Sequence, residues 1–90
     1  VHMRQGNSLE ALENFLQALT IFEKEKSERD VGIVTLNIGI VYSNLQDYKQ
    51  SLRYHDQSLK VFEQLKDRRS IAISRHSISR VQREMENVQG

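Results

Sequence analysis

Apolar residues recur along this chain at intervals of three and four, the spacing of one face of a helix. Between residues 48 and 65 they fall at Tyr48, Leu52, Leu59, Phe62 and Leu65. Ser51 and Ser58 interleave with them, and small residues let another helix approach closely. Further on the stripe narrows to Ile71, Ile78, Val81, Met85 and Val88, and the opposite face reads as Ser74, Arg75, Ser77, Arg80 and Arg83. From Val31 to Leu45 the chain is apolar on most sides, with Ile33, Val34, Leu36, Ile38, Ile40, Val41 and Tyr42 between those ends. Its β-branched content would suit a strand. Its length and repeat frame favour a helix, placed at the buried centre.

The pattern predicts four helices, over about 7–26, 29–45, 47–66 and 69–87. The links between them are short, which makes successive helices antiparallel neighbours. Asn7 with Glu10, and Asp47 with Gln50, have the spacing of reciprocal N-terminal caps. The polar Glu86-Asn87 and Gly90 read as stop signals. Val1-His2-Met3 reads as a remnant of expression, and residues 4–90 as one all-α domain built from helical hairpins.

The two halves repeat. A shift of 40 positions places Leu12 on Leu52, Gln17 on Gln57, Leu19 on Leu59, Phe22 on Phe62 and Glu23 on Glu63. It also places Lys26 on Lys66, Arg29 on Arg69, Ile33 on Ile73, Ile38 on Ile78 and Val41 on Val81. Ile21 with Val61, Val31 with Ile71 and Leu45 with Met85 are conservative pairs. One gapless register over roughly 39 positions is the mark of an internal duplication.

Composition agrees with this reading. The chain has 90 residues, 38% hydrophobic and 28% charged, with no Pro and four Gly. That balance suits a small globular helical domain. Such a domain buries only about two-thirds of its unfolded surface, so its margin of stability is thin. Cysteine is absent, which removes disulfides and thiolate zinc sites and fits a reducing, cytoplasmic setting. No apolar run approaches the roughly 20 residues of a membrane span, and no signal peptide is visible. The net charge is +1, which exerts no general pull on nucleic acid. Residues 1–30 hold four Lys/Arg and six Asp/Glu, whereas residues 61–90 hold six and four.

At Asn37-Ile38-Gly39, followed by Tyr42, the chain begins to resemble the tetratricopeptide repeat, an antiparallel helical hairpin that stacks into α-solenoids. Tyr48, Ser51, Ser58 and Leu59 continue the pattern, and Ala11, Phe15, Ala18 and Leu19 match its second helix. The resemblance spans residues 7–88. It departs at Thr35, where Trp is usual, and at His55, where an aromatic ring is usual. Ser79 and Gln82 replace the Gly and Tyr in the last helix, and no Pro closes a unit. The 40-residue period is similar to the longer-helix variety found in kinesin light chains, spindle-orientation adaptors and bacterial sensory proteins. Lys66-Asp67-Arg68-Arg69-Ser70-Ile71-Ala72 resembles a link common in the bacterial group. In this frame Gly39 lets the neighbouring helix pack close, since it has no Cβ.

The resemblance implies a module that binds a peptide or helix of a partner protein, within a larger signalling or scaffold protein. The concave face would include Ile33, Asn37, Ile40 and Asn44 from one unit and Ile73, His76, Ser77, Arg80 and Arg83 from the next. Asn37 is suited to a peptide backbone because an amide both donates and accepts. Arg80 and Arg83 are suited to carboxylates. Leu36 and Ile40 stand near where the two-carboxylate clamp of chaperone-binding members needs Lys and Asn, so that specificity is not expected. A repeat unit cannot bury its faces alone. Only two units are present, and nothing covers the first helix, so Leu9, Phe15 and Leu16 should be partly open. The chain is therefore expected to be part of a longer array or to self-associate, as a homo-oligomer or a helix-swapped dimer. The last helix, polar on one side, has the character of a terminal helix, or of an interior repeat whose partner helix is cut away.

No catalytic constellation is visible, and no cofactor is expected. His2, His55 and His76 do not share metal-ligand spacing on one helix face. His55 reads as a packing residue and His76 as a surface one. Glu23 with Glu25 and Glu84 with Glu86 are two apart, on different sides of a helix. No phosphate loop or nucleophile elbow occurs. Nucleic-acid binding through the basic last helix is the weakest alternative, because no exposed aromatic residues lie among its Arg side chains.

Overall fold

The computed structural model describes residues 5–89. Four α-helices follow in order: α1 (Gln5–Glu25), α2 (Glu28–Asn44), α3 (Tyr48–Leu65) and α4 (Arg68–Gln89). Each helix packs on its neighbour in sequence, and α2 alone touches all three others. The all-α hairpin architecture is as expected. Val1-His2-Met3 and Gly90, read from sequence as a remnant and a stop signal, lie outside the described residues.

Three helices end in one way. Lys26, Gln46 and Lys66, twenty residues apart, take left-handed φ angles of 58°, 63° and 57°. The Ser27 N–H donates to the Phe22 carbonyl (3.0 Å), Asp47 N–H to Tyr42 (2.9 Å) and Asp67 N–H to Phe62 (3.1 Å). This is a Schellman close, which normally uses glycine at the left-handed position. The same residues start the next helix, since the carbonyls of Ser27, Asp47 and Asp67 accept from Val31, Ser51 and Ile71. The Asp47 side chain caps α3 by accepting from the Gln50 N–H at 3.3 Å. Asp67 caps α4 from Ser70 N–H at 3.2 Å and Ser70 Oγ at 2.9 Å. It also accepts from Arg29 Nη1 at 2.6 Å, tying the start of α2 to the α3–α4 link.

Three capping and stop signals fail. Asn7 does not cap α1, because the helix already runs at Gln5 and Asn7 lies inside it. Gln50 does not complete a reciprocal cap, because the Asp47 N–H is taken by the Tyr42 carbonyl. Glu86-Asn87 does not stop α4, which continues to Gln89. Exposed polar residues end a helix only when they offer its backbone another partner.

The seam between α2 and α3 is built from small residues. Ser51 Oγ donates to the Gly39 carbonyl at 2.7 Å, and Ser58 Oγ to the Gly32 carbonyl at 2.9 Å. A Cβ on Gly39 would lie 2.6 Å from His55 Cε1, and one on Gly32 would lie 2.8 Å from Phe62 Cζ. The close crossing expected at Gly39 is thus present, and Gly32 forms a second one that the motif did not mark. Thr35, fully buried, returns its hydroxyl to the Val31 and Gly32 carbonyls. On the other side of α2, Leu19, Val34 and Ile38 form the core with Phe15, Leu16, Phe22 and Tyr54 around them. Tyr42 and Tyr54 stack with centroids 5.6 Å apart.

Ser74 is a correction. Polarity assigned it to the open face of α4, but it is fully buried, with its Oγ 3.4 Å from Ser58 Oγ. It stands three residues from Ile71 and seven from Val81, on the inward line. Position on the helix outweighs the polarity of a side chain small enough to pack and bonded once inside.

Candidate functional site: a groove between the second and fourth helices

The α2–α3–α4 arrangement puts α2 and α4 side by side over α3 and leaves a groove of about 200 Å³ between them. Ile40, Ser43 and Asn44 line it from α2, and His76, Ser77, Arg80, Val81 and Glu84 from α4. His55 of α3 closes the bottom. Five residues expected on the partner face meet here: Ile40, Asn44, His76, Ser77 and Arg80. Ile33, Asn37, Ile73 and Arg83 lie outside this lining. Ile33 and Ile73 are each 46% exposed, Arg83 is exposed, and Asn37 is half-buried.

Four lining residues were not singled out as partner contacts: Ser43, His55, Val81 and Glu84. Glu84 joins the two walls, accepting from Ser43 Oγ at 3.3 Å and pairing with Arg80 Nε at 3.6 Å. The Arg80–Glu84 spacing of four was visible in the sequence. The Ser43 contact depends on how α4 is rotated against α2 and left no local signal. Arg80 itself is largely exposed, so its guanidinium keeps donors for a ligand beyond the Glu84 carboxylate.

His55 is almost fully buried, and its Nδ1 has no hydrogen-bond partner. Burial pushes its pKa below the ordinary histidine value, so the neutral ring is favoured. It packs where the sequence placed a packing residue, and His76 is exposed as expected. The chemistry on offer is recognition. Alternating aliphatic surface, amide and hydroxyl groups and a guanidinium can hold an extended chain that carries apolar and acidic side chains.

Elsewhere, Leu45, Tyr48, Met85 and Val88 line a larger apolar hollow of about 340 Å³ under the end of α4. It shares no residue with the groove. Among the described residues, no cluster of three or more His, Asp or Glu could hold a metal ion. No helix among them is long and apolar enough to cross a membrane. On α1, Leu9 is 54% exposed, whereas Phe15 and Leu16 are half-buried against the core. Ile21, not anticipated, is as exposed as Leu9.

A family model described as tetratricopeptide repeat matches residues 30–89. No curated protein and no solved structure matches the chain.

Proposed function

Because the chain belongs to the tetratricopeptide repeat family, whose domains generally mediate protein–protein interaction, we propose that it is a non-catalytic module holding a peptide or helix of a partner in the α2–α4 groove. The observation that carries this is the convergence of Ile40, Asn44, His76, Ser77 and Arg80 on one hollow from two helices. Flanking Ile33, Asn37, Ile73 and Arg83 extend the recognition face. The exposed aliphatic residues take apolar side chains of the partner, and Arg80 and Arg83 take its carboxylates. The 40-residue period supports the longer-helix variety of the repeat and a scaffold or signalling role. The absence of cysteine supports a cytoplasmic setting.

Selection from a random 12-residue peptide library tests the reading. Binders enriched in Asp or Glu and aliphatic residues, lost in the Arg80→Glu/Arg83→Glu double variant at unchanged helicity, are expected. Binders that ignore the double variant would remove this groove.

A second reading, self-association through α1, is supported by the exposure of Leu9 and Ile21 beside the half-buried Phe15 and Leu16. Nucleic-acid binding has no comparable support.

A further inference from the structure

The face shared by α2 and α4 is layered along its length. Under the 40-residue register Ile33 corresponds to Ile73, and Ile40 corresponds to Arg80. Ile33, Ile40 and Ile73 are 46%, 45% and 46% exposed, and the Arg80 side chain is 72% exposed. α2 touches all three other helices, yet Ile33 and Ile40 stay open on it. One level of the face is therefore aliphatic on both helices, with Ile33 and Ile73. The next is aliphatic on α2 and cationic on α4, with Ile40 and Arg80. Seven residues separate the two levels on each helix, about 10.5 Å of axial rise.

An extended chain covers that distance in about three residues. It turns successive side chains to opposite sides. A residue laid against Ile33 on the α2 wall is thus followed, three positions on, by one turned toward α4, where Arg80 stands. The hollow between the walls holds about 200 Å³. That space admits single side chains of an extended segment. A helix, about 10–12 Å across, would ride on the rims and leave it unfilled. Charge then selects the second side chain. Glu84 already draws Arg80 Nε to 3.6 Å in an open setting, and the guanidinium has further donors for a second carboxylate.

Resting on the α2–α4 groove reading, we propose that the partner segment is extended and carries an aliphatic and an acidic side chain three residues apart. The aliphatic one sits at the level of Ile33 and Ile73, and the acidic one meets Arg80.

Fluorescence anisotropy with short, end-blocked, Ser/Gly-rich peptides tests this. Each peptide carries one Leu and one Glu, set two, three, four or seven residues apart, in both orders. Affinity should peak at three apart in one of the two orders, by about tenfold over the other spacings. Ile33→Lys, at an exposed position, should move the preference to peptides with Glu in place of that Leu at the same spacing. Ile73→Lys serves if circular dichroism shows that the first variant loses helicity. A peak at seven apart would put a helix on this face. That result, a peak at two or four apart, or equal affinity at all spacings would keep the groove and overturn the extended, spaced motif. A preference that both Lys variants leave unchanged would overturn the aliphatic level. Binding of no peptide, library-selected ones included, would remove the groove reading and the spacing rule together.

Discussion

Gly39 and His55 meet so closely that a single added Cβ would stand 2.6 Å from the imidazole. The ring cannot swing away freely, because Ser51 and Ser58, both fully buried, sit one turn to either side of it on α3. Gly39→Ala should therefore destabilise the chain, by about 1–3 kcal/mol if overpacking governs. Chemical denaturation checks this. An unchanged midpoint would mean that α2 and α3 separate at little cost.

The same imidazole makes stability depend on pH. Its folded-state pKa is lowered by burial, so the unfolded chain binds the proton more readily. The neutral ring's advantage is whole above the unfolded value, near 6.5, and is lost as pH falls below it. Other titratable groups lining the groove that His55 closes are His76, Arg80 and Glu84, all on α4. Denaturation midpoints should fall between pH 7 and pH 5, and His55→Phe should flatten that slope whatever its own stability. An equal slope in the variant would place the titration elsewhere.

Much of this architecture is legible in the sequence, and the illegible parts share a cause. The 40-residue register marks the hairpins, and Gly39, Ser51 and Ser58 mark the seam, because tight packing admits few residue types. Ser74 defies its polarity because a small hydroxyl that finds a buried partner packs inside. The helix ends at Lys26, Gln46 and Lys66 carry no glycine to announce them. The Ser43–Glu84 bond depends on helix rotation, which no local pattern encodes. Of the expected partner residues, the groove gathers Ile40, Asn44, His76, Ser77 and Arg80 and leaves Ile33, Asn37, Ile73 and Arg83 outside its lining.

The left-handed closes allow a gain in stability. Lys66 holds φ 57° with a side chain that disfavours it. Lys66→Gly should stabilise the fold by roughly 0.5–1 kcal/mol, the relief of strain being partly offset by glycine's extra freedom in the unfolded chain. Lys66→Val should do the reverse. Thermal melts of the two decide it, and equal Tm values would mean that the turn relaxes.

Asp67 supplies an acid limit. The Arg29 guanidinium and the Ser70 amide and hydroxyl hold its pKa at about 2. A depressed carboxylate stabilises the fold above its unfolded value, near 3.8, and loses that contribution as pH falls toward 2. The gap in urea midpoint between the parent chain and Asp67→Asn should shrink from pH 5 to pH 2.5. A constant gap would show that the carboxylate charge contributes nothing there.

Amide shift mapping of the isotope-labelled chain with a library-selected acidic peptide reads directly where a partner sits. The prediction is that the largest changes fall at Ile40, Asn44, His76, Ser77 and Arg80, with weaker ones at Ile33, Asn37, Ile73 and Arg83. Changes confined to α1, or to the hollow around Leu45 and Met85, would contradict it.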